Sequence, residues 1–291
     1  MTDNHQGRRG LLAWAFYDWA STAFSTVIHT FVFAAYFTTS VAENTTRGGA
    51  LWGYTVGAAG LLTALSAPFL GAAADRKGRR KPWLAFFTLL CVIPTALLGL
   101  VPPKVSAVLP ALITAAVAIV AFELASVFYN AMLPHLASRD RIGRWSGWGW
   151  ALGYAGGLLC LALCMVLFVK DGAAVPLDRS NALHVRATFP FAAVWYALFA
   201  LPLFFFSPDE PDRGKTLRQA MREGHGQLRD SLRHVRRYRY IVRFLIARLL
   251  YIDGLATLFA FGGVFAAGAF GMSASRVMLF GIALTVSAGV G

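Results

Sequence analysis

Gly71-Ala72-Ala73-Ala74-Asp75-Arg76-Lys77-Gly78-Arg79-Arg80-Lys81 is a short run of charge set between two apolar blocks, 51–74 and 83–101. Each block has the ~20 mostly apolar residues that carry a helix across a bilayer, so the charged stretch reads as a tight turn between two membrane spans. Gly78 suits such a turn because it carries no side chain to obstruct an unusual backbone conformation. Asp75 falls where the first of the two helices ends, ready to pair with a cation or with the N-terminus of another helix.

Working outward, further apolar blocks occupy 11–39, 107–134, 146–169, 189–206 and 242–268, and an eighth begins near Arg276 and is cut at Gly291. The expected fold is therefore all-α and polytopic, with about seven complete spans and part of an eighth. Composition agrees: 57% of residues are apolar and 14% charged, with a mean hydropathy of +0.57, against roughly 45–50% and 25% in soluble domains. The first block has no small-residue cleavage site and reads as a first span, not a removable signal peptide. Cys91, Cys160 and Cys164 all lie inside apolar blocks, so no disulfide, zinc site or redox motif is expected, and no cofactor or metal.

The net charge of +13 raises the question of nucleic acid, and the placement of the charges answers it. With the N-terminus inside, the inner segments hold Arg8, Arg9, the five basic residues of 76–81, and Arg139, Arg141 and Arg144, ten in all. The outer loops hold six: Arg47, Lys104, Lys170, Arg179, Arg186 and Arg276. The excess of inside cations favours a cytoplasmic N-terminus and accounts for most of the basicity without nucleic acid.

The stretch 207–241 adds nine more basic residues to the inner side. There Ser207-Pro208-Asp209-Glu210-Pro211 stops the sixth helix. Leu228, Leu232 and Val235 then recur at helical spacing between arginines, as in an amphipathic helix at an anionic leaflet; a solvated linker is the alternative. Three parts follow: a six-helix bundle over 1–206, a cytoplasmic basic linker over 207–241, and a partial second bundle over 242–291.

The spacing G-x-x-x-D-R-x-G-R-R between spans two and three resembles the cytoplasmic signature of the major facilitator superfamily. The resemblance implies alternating-access transport, and it puts Gly71, Asp75, Arg76, Gly78 and Arg79 in a gating loop; a topology signal alone is the alternative. A narrower likeness runs through Tyr17-Asp18-Trp19-Ala20-Ser21-Thr22-Ala23-Phe24, Ser146-Gly147-Trp148-Gly149-Trp150-Ala151-Leu152-Gly153-Tyr154 and Ala247-Arg248-Leu249-Leu250-Tyr251-Ile252-Asp253-Gly254. These look like the vacuole-effluxer branch, which includes a fungal autophagy-related amino-acid exporter and many bacterial relatives. That likeness implies a small solute, an amino acid among the candidates, a coupling proton, and residence in a bacterial inner membrane. Members of the superfamily run to about twelve spans, so the chain is expected to stop within its second bundle. Span four carries Glu123 and lacks the membrane-embedded arginine of some proton-coupled relatives, which leaves the coupling open.

Ionised groups are costly inside a membrane and each invites an explanation. In span one Asp18, Thr22, Ser25 and His29 follow at i, i+4, i+7 and i+11, with each of the other three within about 40° of Asp18 around the helix. That face should line a polar cavity. Asp18 lies roughly 10 Å along the helix from Leu11, too deep for so short a side chain to reach water easily; a structural ion pair is the alternative to a site. His29 could equally be a histidine satisfied by one neighbour.

In span four Glu123, Ser126 and Asn130 share a face, and Glu123 could carry a proton or simply hydrogen-bond across the bundle. Arg248 and Asp253 in span seven stand about 140° apart around the helix, so each should seek a partner elsewhere, although Arg248 could snorkel to the inner face. Gly149, Gly153 and Gly157, with Gly156 alongside, form a small-residue stripe in span five that lets helices approach and slide. The substrate and ion pathway is thus expected from Asp18, Thr22, Ser25, His29, Glu123, Asn130, Arg248 and Asp253.

No ATP-binding loop accompanies these spans, which favours a secondary transporter. A membrane-embedded enzyme or a non-transporting receptor or interaction protein would share the helix count. The sequence offers no catalytic cluster for the first, and neither accounts for the loop signature.

Overall fold

The computed structural model describes residues 2–214, 216, 219, 223, 226 and 239–290. The described residues are helical or irregular, with no strand among them. The first helix, α1, runs as Thr2–Phe24, π-helical Ser25–Phe31, α-helical Val32–Tyr36 and π-helical Phe37–Val41. Then come α2 (Thr45–Lys77), α3 (Lys81–Leu97), α4 (Val108–Leu136), α5 (Ile142–Cys164, continued by the π-helical Met165–Val169), α6 (Thr188–Phe206), α7 (Arg239–Gly268) and α8 (Ala274–Val290).

Among the described residues, six stretches are long and apolar enough to cross a membrane: Arg8–Val41, Thr45–Lys77, Lys81–Leu100, Val105–Leu136, Ile142–Val169 and Leu183–Phe206. They coincide with the first six apolar blocks but run past most of them at one or both ends, because polar terminal turns stay helical after the apolar run has stopped. The clearest case is α2, capped by the Asn44 side chain accepting from the Arg47 amide at 2.8 Å. It therefore starts six residues before Leu51, where the hydropathy begins. The seventh helix has 30 residues, about 45 Å at 1.5 Å per residue, but carries Arg243, Arg248 and Asp253. The amphipathic pattern at Leu228, Leu232 and Val235 lies outside the described residues.

Burial ranks the helices. The first spans the core, with Trp14, Tyr17, Phe24, Val27, Ile28, Phe33 and Phe37 at 2% exposure or less, whereas α2 keeps Tyr54, Leu61, Leu62 and Leu65 exposed, as a helix facing lipid does. α1 packs along α5 and α6, α4 packs along α2 and α3, and α3 also meets α6.

The last two helices touch this bundle at one end only. α7 lies against residues 25–41 of α1 and the start of α2, and α8 against α5 and the same part of α1. Toward the N-terminal face, residues 243–255 of α7 are exposed. α7 is therefore packed along its far half and uncovered toward the N-terminal face.

Candidate functional site

Along α1 the partial exposure has a helical rhythm. Asp18, Thr22, Ser25 and His29 are half-buried, whereas Ala20, Ser21, Ala23, Phe24, Thr26, Val27 and Ile28 between them are buried. The four residues at i, i+4, i+7 and i+11 therefore do share one half-covered face of a largely buried helix, while Leu12 and Phe16 on another side of it are exposed.

The Asp18 carboxylate has no cationic partner among the described residues. Its neighbour is the Tyr129 hydroxyl of α4. That ring is sandwiched between Trp14, centroids 4.5 Å apart, and Tyr17, 4.9 Å apart, and Trp14 Nε1 donates to the Tyr129 carbonyl at 3.0 Å. On the other side of α1, Tyr17 and Tyr196 hydroxyls lie 2.7 Å apart, and Tyr17 is 2.7 Å from Thr88 Oγ1. Thr88 itself donates to the Leu84 carbonyl, so Tyr17 must donate to Thr88 and Tyr196 to Tyr17. This buried chain ends on a backbone oxygen and ties α1, α3 and α6 together.

The glycines of α5 meet the polar face of α1. A Cβ on Gly149 would come 2.9 Å from Asp18 Oδ2, on Gly153 2.9 Å from Thr22 Oγ1, and on Gly157 2.7 Å from Thr26 Oγ1. Gly156 is tighter still, with 2.3 Å to the Trp19 carbonyl oxygen. These distances leave no room for a side chain, so the spacing of small residues sets how closely two helices run.

The remaining expected residues do not join this cluster. Glu123 is half-buried and makes no ion pair among the described residues; Ser126 donates to the Phe122 carbonyl, and Asn130 is exposed. Arg248 and Asp253 are both exposed, and no ion pair to another helix forms at either among the described residues.

The loop after α2 is a second polar centre. Gly78 takes φ +96°, and a Cβ there would lie 2.2 Å from the Pro211 carbonyl oxygen, so both the backbone and the neighbour require glycine. Arg80, only 7% exposed, is the hub. It reaches Asp75 at 2.6 Å, Glu210 at 2.8 Å and His135 Nδ1 at 2.8 Å. His135 Nε2 closes the ring on Glu210 at 2.6 Å. Because Arg80 donates to Nδ1, that nitrogen accepts and Nε2 carries the proton toward Glu210.

Asp209 accepts from the Arg80 amide at 2.9 Å, and Lys81 Nζ donates to the Phe204 carbonyl at 2.9 Å. Of the other motif residues, Arg79 approaches Asp209 only at 3.9 Å and Arg76 approaches Glu223 at 3.7 Å. Gly71 has room for a Cβ, the nearest atom being Val127 Cγ1 at 3.8 Å. The loop signature thus ties the ends of α2, α3, α4 and α6 together through Arg80, the motif's last arginine, with His135, Asp209 and Glu210, which lie outside the motif. The available signal was an acidic pair between two prolines on the same face as the basic loop.

A profile of the family described as vacuole effluxer Atg22 like matches residues 40–291. The chain belongs to this family. The chain is also similar to an uncharacterized transporter of the major facilitator type from Bacillus subtilis (strain 168), YxiO, at 28% identity over 256 residues, 84% of this chain and 57% of that one. The chain therefore spans little more than half the length of that relative.

Solved structures with the same fold include a bacterial homologue of the human lysosomal transporter Spinster, in an inward-facing and unoccupied conformation, with a TM-score of 0.66, 17% identity and coverage of 96% of this chain and 60% of that one. The xylose transporter XylE from E. coli, partially occluded and inward open, gives 0.61, 16%, 96% and 70%. A D-xylose-proton symporter gives 0.64, 16%, 95% and 65%. For this Atg22-like chain, likeness at such identities fixes a major-facilitator fold and leaves the solute to chemistry.

Proposed function

We propose that the protein moves a small solute across a membrane by alternating access, and that the path follows the polar stripe of α1. The observation that carries this reading is the stripe itself. A carboxylate without a cationic partner among the described residues, two hydroxyls and an imidazole share a half-covered face of a largely buried helix, in a medium where ionised groups are expensive and rarely idle. Contact of α7 and α8 with the bundle at the far end, with α7 uncovered toward the N-terminal face, suits such a path, since a midplane site must open to one side at a time.

Glu123 and Asn130 of α4 and Arg248 and Asp253 of α7 complete the path as second-bundle and gating helices move. Residues 1–206 act as one bundle, 207–241 as the linker, and 242–291 as part of the second bundle. The Asp75–Arg80 knot, with Arg76, Gly78 and Arg79 around it, latches the N-terminal face, which lies in the cytoplasm of a bacterial cell. Asp18, a carboxylate beside the Tyr129 hydroxyl with no cationic partner among the described residues, suits an ammonium group, because a buried carboxylate is stabilised by an opposite charge. A neutral amino acid is therefore the first solute to try, moving outward as the family name suggests, with a proton as the coupling ion.

The test is flux through the protein in sealed proteoliposomes loaded with radiolabelled neutral amino acids, with and without a pH gradient. Release above empty liposomes, altered by the gradient, is expected. Turnover of any compound in detergent, with no sealed compartment and no flux, would replace transport by enzyme chemistry.

A further inference from the structure

Phe31 stands where α1 leaves its π-helical turns, and it meets three glycines of the last two helices, Gly263 through its backbone and Gly262 and Gly281 through its ring. A Cβ on Gly263 would come 2.4 Å from the Thr30 carbonyl oxygen and 2.8 Å from Phe31 Cα; on Gly281, 2.9 Å from Phe31 Cγ; on Gly262, 3.9 Å from Phe31 Cε1. Phe280 meets the same ring edge-on at 6.4 Å. The crossing of α1 with α7 is thus a backbone-to-backbone contact, with an aromatic knob filling the notch that the glycines leave.

One residue before Thr30, the balance is the reverse. His29 Nε2 is buried without a hydrogen-bond partner, and so is Nε1 of Trp52, a residue at 0% exposure. The two rings lie 6.5 Å apart at 61°, and no ionisable side chain bears on the imidazole. An indole N–H can only donate, and buried donors without acceptors are rare because they forfeit their hydrogen bond to water. Phe261 of α7 packs on the same turn of α2, since a Cβ on Gly53, next in sequence to Trp52, would be 3.0 Å from its Cζ.

We propose that these are the two opposed halves of one switch. The Phe31 ring in its glycine socket holds α7 and α8 on α1 and closes the far end, while closure cuts His29 and Trp52 off from water and so favours opening. Opening withdraws Phe261 and lets water reach both nitrogens; closing regains the ring packing. Opposed terms of similar size keep two states within thermal reach, which alternating access needs, so the inference rests on the transport reading. The distorted π-helical turn that carries His29 to Phe31 is a common form for such a hinge.

The test uses one reporter cysteine, Ser25→Cys on the stripe, in the full protein in sealed vesicles of known orientation. Labelling by a membrane-impermeant maleimide is timed from each side; the native Cys91, Cys160 and Cys164 are buried and give the background. Gly263→Ala should raise far-side labelling severalfold and lower it from the N-terminal side. Trp52→Phe, which keeps the ring and removes the stranded donor, should do the opposite.

If Gly263→Ala raises labelling from both sides and exposes the native cysteines, it has unfolded, and Phe31→Leu takes its place with the same expected direction. Unchanged rates in a folded socket variant, or a shift in the same direction for Trp52→Phe, overturn the switch. Labelling needs no solute, so a responsive switch in a protein without flux sinks only the transport reading, and flux with inert labelling sinks only the switch.

Discussion

Arg80 touches Asp75, Glu210 and His135 at once, from a side chain that is almost fully enclosed. Removing it leaves the partly buried Glu210 with only the more exposed Arg213, at 3.3 Å, as its cation, close to the situation in which breaking an ion pair costs far more than forming it gained. Arg80→Ala should therefore destabilise the protein by about 2–3 kcal/mol, less than a fully buried pair because Asp75 is half in solvent. Thermal unfolding in detergent would register this as a clear drop in melting temperature. Arg79→Ala is the internal comparison: an exposed side chain at 3.9 Å from Asp209 should cost within about 0.5 kcal/mol. Equal effects of the two substitutions would remove Arg80 from its place as the hub. The motif spacing drew attention to Asp75, Arg76, Gly78 and Arg79, but it could not rank the arginines, because the partners that set Arg80 apart come from residues 135 and 209–210.

At the scale of elements, α1 and α5 run so close that Gly156 has the Trp19 carbonyl where a side chain would be. Gly156→Ala must push two backbones apart and should cost about 1–3 kcal/mol. Gly147→Ala, one helix face away with nothing within 4 Å, should be neutral or stabilising by up to about 1 kcal/mol, since alanine is the better helix former. Unfolding of the two variants side by side separates packing from propensity, and a neutral Gly156→Ala would mean that the helices are looser than their glycines allow. The four-residue spacing of Gly149, Gly153 and Gly157 was legible in the sequence. That Gly156 is the tightest position was not, because a stripe shows which residues share a face and not how deeply the facing helix sits against each.

For the whole molecule, the helices came through from hydropathy because the bilayer demands long apolar runs, and periodicity placed Asp18, Thr22, Ser25 and His29 on one face of α1. What one dimension could not supply is which helices face each other. Glu123 and Asp18 read alike as intramembrane carboxylates, yet only Asp18 sits against the glycines of α5 and beside Tyr129. Arg248 and Asp253 stand on the exposed part of α7, away from the stripe.

The central claim is that the α1 stripe is a solute path with Asp18 at its working end. Solute exchange in proteoliposomes, comparing the parent protein with Asp18→Asn at matched reconstitution, tests it most directly. The substitution keeps size and hydrogen bonding but removes the charge, so exchange should fall by about tenfold or more, a loss of at least ~1.4 kcal/mol in binding, with the amount of folded protein unchanged. Full exchange in both Asp18→Asn and Glu123→Gln would contradict the account.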